Sequence, residues 1–179
     1  MRVIGGTAKG RKLRAPAGTD IRPTGDMVKE SIFDIIQFEV EGRRILDLFA
    51  GSGQLGVEAL SRGAKNCVFV DSNPAAVKLI KQNLQLCGFM DTASVYNRDA
   101  MGFLESGGTY DIVFIDPPYD TPLAGRALLR IIEFDKININ GIIICETAAD
   151  TVTPAVSPPY FRQREYKYRS AKITRYSRE

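Results

Sequence analysis

An α/β fold is what this sequence predicts: a doubly wound, mainly parallel seven-stranded sheet with a small N-terminal β-hairpin extension. Three observations carry that expectation. Short apolar runs alternate with helical periodicity from about residue 45 to 145, the succession that builds βαβ units. A glycine-rich loop joins the first run to the helix after it, and the final segment alternates as antiparallel strands do.

The elements follow in order. Residues 2–14 alternate around Gly5, Gly6 and Gly10, which suggests a short hairpin lying outside the main body; the extension is set at 1–22 and the main domain at 23–179. After Pro23, Thr24 caps a helix whose Val28, Ile32, Ile35 and Ile36 recur at helical spacing to about Phe38. Strands are read at Ile45–Phe49, Cys67–Val70, Ala93–Tyr96, Tyr110–Ile115 and Gly141–Cys145. Between them lie helices at Leu55–Ser61, at Pro74–Cys87 with Asn73 as cap and Gly88 as stop, and at Pro122–Phe134 capped by Thr121. Phe161–Tyr168 and Ala171–Tyr176 complete the sheet as antiparallel strands. Ligands of such a sheet bind beyond the strand carboxyl ends.

Composition narrows the chemistry. With 179 residues, 44% hydrophobic and 25% charged, the chain sits among globular proteins and needs no disulfide or metal staple. Cys67, Cys87 and Cys145 lack paired spacing and read as small buried hydrophobes, and no metal site is discernible. No apolar stretch approaches the roughly 20 residues of a membrane span and the amino terminus has no apolar secretory core, so a cytoplasmic location is expected; the chain is also expected to be a monomer. A histidine count of 0 excludes imidazole bases, Ser/His/Asp triads and histidine-ligated metals. The net charge of +3 conceals basic ends. Arg2, Lys9, Arg11, Lys12, Arg14 and Arg22 crowd the start, and seven lysines and arginines the end, with Tyr160, Phe161, Tyr166, Tyr168 and Tyr176 interleaved. Such ends can form an anion-attracting face with flat surfaces for bases, although a solvated hairpin with core aromatics explains either end alone.

Gly51, Gly53 and Gly56 satisfy G-x-G-x-x-G between a strand and a helix, with Asp71 ending the next strand. The motif indicates a nucleoside ligand. Asp47, just upstream, would repel a pyrophosphate but suits S-adenosylmethionine, which carries an ammonium, a sulfonium and a carboxylate. Asp71 then takes the ribose hydroxyls, while Asp99 accepts from the adenine amine and Ala100 offers its amide to the ring; Asp99 serves equally well as a helix cap. Phe49 and Ser72, flanking these positions, complete the candidate cofactor set.

The fourth strand ends in Asp116, Pro117, Pro118 and Tyr119. The prolines stop the strand and stiffen a corner from which carbonyls and the Asp116 carboxylate project. Such a corner suits methylation of an exocyclic amine, whose lone pair is delocalised into its base. Asp116 and the Pro117 carbonyl accept the amine hydrogens and orient the nitrogen for attack on the sulfonium methyl. A neutral thioether departs, so no histidine is required. Tyr119 stacks on the target base, which must be unstacked, making single-stranded loops the expected targets.

The pairing of LDLFAGSGQLGVEALSRGA (Leu46–Ala64) with FIDPPY (Phe114–Tyr119) resembles the DPPY group of Rossmann-like class I methyltransferases. The opening MRVIGGTAKGRKLRAP with IRPTGDMVKESIFDII is similar to the RsmD family, and the likeness runs over nearly the whole chain. It implies methylation of the guanine N2 amine in 16S ribosomal RNA, free or in a partly assembled small subunit. It also implies that Asp47, Gly51 and Gly53 line the methionine end of the cofactor, that Asp71 holds ribose, and that Asp116 to Tyr119 hold the guanine. The Arg22, Pro23, Thr24 stretch is similar to a segment bordering the cleft, and with the N-terminal cations supplies the candidate RNA contacts. The motifs alone leave open an adenine N6 or cytosine N4 methyltransferase. The glycine fingerprint also leaves an NAD-dependent oxidoreductase, against which Asp47 and the missing histidine argue. A non-enzymatic RNA-binding module is a further alternative.

Overall fold

The computed structural model describes residues 1–16, 23–119 and 121–179, with side chains in the first helix from residue 25 onward. In chain order the elements are α1 (Pro23–Ile35), β1 (Arg44–Leu48), α2 (Gln54–Ser61), β2 (Asn66–Asp71), α3 (Pro74–Cys87), β3 (Ala93–Asn97) and α4 (Ala100–Ser106). They continue as β4 (Tyr110–Ile115), α5 (Leu123–Glu133), β5 (Ile137–Ala148), β6 (Tyr160–Lys167) and β7 (Ala171–Arg178). The seven strands form one sheet in the order β3-β2-β1-β4-β5-β7-β6. The first five are mutually parallel, and β7 runs antiparallel to both β5 and β6.

Adjacent residues on the parallel strands bury opposite faces, which is why those strands read as continuous apolar runs. Ile45, Phe69, Phe114 and Ile144 pack under α1, α2 and α3 through Val28, Phe33, Leu55 and Ile80. The Phe33 and Phe114 rings lie 5.8 Å apart, tilted as aromatic pairs prefer. Leu46, Val113, Ile115 and Ile143 pack under α4 and α5 through Met101, Leu104, Leu128 and Ile131. All three cysteines are free and buried, as expected of small hydrophobes. Among the described residues no helix is long and apolar enough to cross a membrane.

Several expectations need correction. The N-terminal hairpin reduces to one antiparallel bridge, Arg2 to Lys12, around a turned loop. Nor does it lie outside the main body: Val3, Ala8 and Leu13 are buried in the core under α1 to α3. The reason is polar as well as apolar. Glu58 of α2, fully buried, accepts the Ile4 and Gly5 amide hydrogens at 2.7 Å each and pairs with Arg62 and the buried Lys29. Burial pulls the Lys29 pKa down, and the Glu58 carboxylate opposes that shift.

Helix α1 begins at Pro23 and ends at Ile35, so Thr24 lies within it rather than capping it, and Phe38 falls in a following turn. Pro122, not Thr121, precedes α5; the Thr121 hydroxyl donates back to the Pro118 carbonyl at 2.7 Å. The sequence reading missed α4, a helix of 7 residues whose cap is Asp99. Strand β5 is longer than expected, 12 residues, because Ile137 pairs with Tyr110 before an irregularity, and regular pairing resumes at Ile142. Tyr160 and Tyr176 are buried in the core and are not surfaces for bases.

Candidate active site

The strand order reverses at β1, whose neighbours β2 and β4 are reached over opposite faces of the sheet. The two connections diverge there and leave a crevice at the strand carboxyl ends. A cleft of about 700 Å³ occupies it.

The floor of the cleft is the loop after β1. Phe49, Gly51 and Gly53 all adopt left-handed backbone, with φ of 65°, 55° and 76°. For Phe49 that conformation costs ~1–2 kcal/mol, the kind of strain found where a loop is held for a ligand. The loop is braced from the next strand. Asp71 accepts the Gly51 amide hydrogen on one carboxylate oxygen and that of Asn73 on the other, each at 2.8 Å. Asn83 of α3 donates to the Ser52 carbonyl at 2.8 Å and exchanges hydrogen bonds with the Arg14 backbone, tying loop, helix and N-terminal segment together. Gly56 has a packing reason: a Cβ there would lie 2.2 Å from the Phe69 ring.

Of the residues expected to hold a cofactor, Asp47, Phe49, Gly51, Asp71, Ser72, Asp99 and Ala100 line this one cleft, and so do Asp116, Pro117, Pro118 and Tyr119. Gly53 does not. It lies beneath the loop, where a Cβ would meet Ile80 at 3.3 Å, and serves the turn into α2. Asp99 is both a lining residue and a cap, accepting the Gly102 amide hydrogen at 2.9 Å. Arg2, Lys9, Arg11, Lys12 and Arg14 are exposed but outside the cleft; Arg11 donates to the Leu86 carbonyl near the end of α3. Arg22 and the Thr24 side chain lie outside the described residues, while the adjoining Gly25 lines the cleft. Of the tail cations, Arg175 pairs with Glu39, Arg178 with Asp135, and Lys172 is buried beside Glu165. The β6–β7 turn reaches the cleft rim at Ser170.

The sequence reading missed Glu146. Ile115, the last residue of β4, pairs with Cys145, so Asp116 just past that strand and Glu146 on β5 come next in line, and the charge of Glu146 acts on Asp116. An apolar run ending in an acid was the signal used at Asp47, Asp71 and Asp116, and it recurs at Ile142–Glu146. Glu146 lines the cleft and accepts a short hydrogen bond from the Tyr119 hydroxyl. Arg98, which also lines the cleft, is held by Ser106 and the Gly102 carbonyl.

The electrostatics are lopsided. Among the described residues five carboxylates line the cleft, Asp47, Asp71, Asp99, Asp116 and Glu146, against one cation, Arg98. Burial pushes the Asp47 pKa up to about 7, opposed by the hydrogen bond from Gly56 and reinforced by the charge on Asp71. Burial likewise raises Asp116 well above the usual carboxylate range, with Glu146 and Asp47 adding repulsion. Glu146 is raised by burial too, while the Tyr119 hydrogen bond pulls the other way. Crowded, desolvated acids of this kind are stabilised by a positive ligand.

The chain matches a family model described as conserved hypothetical protein 95 over residues 1–177. YlbH of Bacillus subtilis (strain 168) is 43% identical over 158 residues, covering 86% of each chain. Ribosomal RNA small subunit methyltransferase D of Haemophilus influenzae is 37% identical over 162 residues, covering 88% of this chain and 83% of its own. The solved structure of yhhF from Escherichia coli superposes with a TM-score of 0.90 at 30% identity, covering 100% of this chain and 98% of that one. The reversed strand order, the braced glycine loop and the acidic proline corner define a class I methyltransferase. Within that class, the chain belongs to the conserved hypothetical protein 95 family, which is the RsmD family of ribosomal RNA methyltransferases.

Proposed function

We propose that this chain transfers a methyl group from S-adenosylmethionine to the exocyclic N2 amine of a guanine in small-subunit ribosomal RNA. One observation carries the reading: among the described residues five carboxylates gather in one cleft, in a chain whose net charge is +3, and the rigid Asp116–Tyr119 corner opens into the same space. The naming of a close relative as a small-subunit ribosomal RNA methyltransferase supports the choice of RNA.

The cleft fits the cofactor. Asp71 holds the loop with each carboxylate oxygen already accepting one backbone hydrogen, and a further lone pair on each suits ribose hydroxyls. The backbone at Gly51 is unobstructed, since a Cβ there would approach nothing closer than 4.0 Å. Asp47 and its acidic neighbours suit an ammonium and a sulfonium and oppose a pyrophosphate, which weighs against a dinucleotide. Bound there, S-adenosylmethionine supplies an electrophilic methyl group.

The residues of the chain do the rest. Asp116 and the Pro117 carbonyl accept the hydrogens of the target amine and turn its lone pair toward the methyl carbon. The nitrogen–carbon bond forms as the carbon–sulfur bond breaks, the electron pair leaving on the neutral thioether. Asp116, whose raised pKa makes it a stronger base than an ordinary carboxylate, takes the released proton or passes it to water. Tyr119 offers its ring to the unstacked base while its hydroxyl stays on Glu146.

The test uses small ribosomal subunits built on unmodified transcribed RNA, labelled methyl donor, and digestion to nucleosides. N2-methylguanosine is the expected product; methylation at adenine N6 or cytosine N4, or none at all, overturns the reading. Asp116→Ala should lower turnover at least ~100-fold with S-adenosylhomocysteine affinity nearly unchanged.

A further inference from the structure

Glu146 has no part in the chemistry described above, yet it is built into the site. Register places it beside Asp116, and the Tyr119 hydroxyl fixes one of its carboxylate oxygens. Its other oxygen accepts no hydrogen bond among the described residues, although the side chain is mostly buried and borders the cleft. Holding a second acid against Asp116 carries an electrostatic cost: burial raises the Asp116 pKa and the charge of Glu146 adds to the rise, and burial raises Glu146 as well. A fixed acceptor at that cost is accounted for if a ligand donor meets it.

We infer that Glu146 accepts the ring N1–H of the target base while Asp116 and Pro117 accept the adjacent amine, so that the pair selects guanine. This rests on the reading of the chain as an amine methyltransferase acting on RNA. Among the four RNA bases only guanine presents a ring N–H next to an exocyclic amine. Adenine and cytosine present a ring acceptor beside their amine, and uracil has no amine. In their ionised forms, which a base that donates N–H to both favours, the two carboxylates are acceptors only. An adenine or cytosine placed with its amine on Asp116 would turn a nitrogen lone pair toward Glu146, a buried mismatch that is relieved only if Glu146 takes up a proton. Tyr119 is the positioning residue of the pair: its hydroxyl aims Glu146, and its ring sets the plane of the base.

The experiment begins by mapping the methylated nucleotide in small subunits built on unmodified transcribed RNA. Guanine or 2-aminopurine, which keeps the amine but lacks the N1–H, is then ligated in at that position, and kcat and KM are measured for each. The protein itself should prefer guanine by roughly 10–100-fold. Glu146→Gln, whose amide both donates and accepts, should shrink that ratio at least ~10-fold while S-adenosylhomocysteine affinity stays put. Tyr119→Phe, which keeps the ring, should move the ratio in the same direction and raise KM more than it lowers kcat. An unchanged ratio in Glu146→Gln at full activity removes Glu146 from base recognition; should that variant fail to bind S-adenosylhomocysteine, the ratio in Tyr119→Phe decides in its place. Absence of N2-methylguanosine from the protein's own product defeats the proposed function itself, an outcome distinct from loss of selectivity.

Discussion

Asp47 accepts the amide hydrogen of Gly56 at 2.9 Å, a carboxylate at the end of β1 reaching into the first turn of α2. Only 2% of Asp47 is exposed. The contact favours the ionised form, but burial outweighs it and lifts the pKa to about 7 from 3.8. An acid with a raised folded-state pKa destabilises the fold as pH climbs from the unfolded value toward the folded one. Between about pH 4 and 7 this group therefore lowers stability, by at most ~4 kcal/mol at the top of the range. Asp47→Asn keeps an acceptor for Gly56 and removes the charge. It should raise the melting temperature at pH 8 more than at pH 4 and weaken S-adenosylmethionine binding; an equal shift at both pH values would show that Asp47 is not the buried ionising group.

The same acids make cofactor affinity pH-dependent. Asp47, Asp116 and Glu146 are all raised, with Asp71, Asp99 and Arg98 sharing the cleft. A sulfonium favours their ionised forms, so its binding expels protons and affinity rises with pH until the acids are ionised in the free protein, past about 7 for Asp47. The gain is up to ~10-fold per pH unit for each proton released. S-adenosylhomocysteine lacks the sulfonium and should show a shallower slope. Calorimetry in buffers of different ionisation enthalpy measures the protons directly, and identical release by both molecules would place the sulfonium away from these acids.

What the sequence made legible follows from where its signals come from. The glycine loop, Asp71 and the Asp116–Tyr119 corner announce themselves because each lies at a strand end, where an apolar run breaks at a defined residue. Glu146 carries the same local signature, but its meaning depends on β4 pairing with β5, a contact between residues 30 apart along the chain. The 7 residues of α4 are too few to show a helical period, and the cap at Asp99 was the only trace of it. The N-terminal segment misled because its two arms do pair, but only through one bridge, and the segment is also held against the helices. Lys29, Glu58 and Ser61, on α1 and α2, take up the backbone groups of Arg2, Ile4, Gly5 and Ala8.

Gly6 tests that docking. Its φ is +73°, and a Cβ there would lie 1.7 Å from the Ser61 carbonyl oxygen, so no side-chain adjustment admits Ala. The same carbonyl accepts from Thr7, and the Ser61 hydroxyl donates to Gly5. Gly6→Ala should lift the segment, cost ~1–3 kcal/mol of stability and accelerate tryptic cleavage at Lys9 to Arg14. Cleavage at the rate of the unaltered protein would mean that the segment is not held at this point.

The docked segment also bears on how RNA is held. Arg11 is committed to the Leu86 carbonyl, so reversing its charge would disturb the fold as well as the field. Lys9 and Lys12 are exposed, and their ammonium groups make no hydrogen bond or ion pair among the described residues. They isolate the electrostatic role. If the segment faces RNA, Lys9→Glu with Lys12→Glu should weaken binding most at low salt, because cations that neutralise phosphates act by releasing counterions. The slope of log affinity against log salt should then flatten by about 0.7 for each phosphate of a single strand that is no longer neutralised. S-adenosylhomocysteine affinity should not move, since neither lysine lines the cleft. Unchanged affinity and slope would take the N-terminal segment off the RNA face. The cations at the β6–β7 turn, Lys167 and Arg169, beside Ser170 on the cleft rim, would then be the next to reverse.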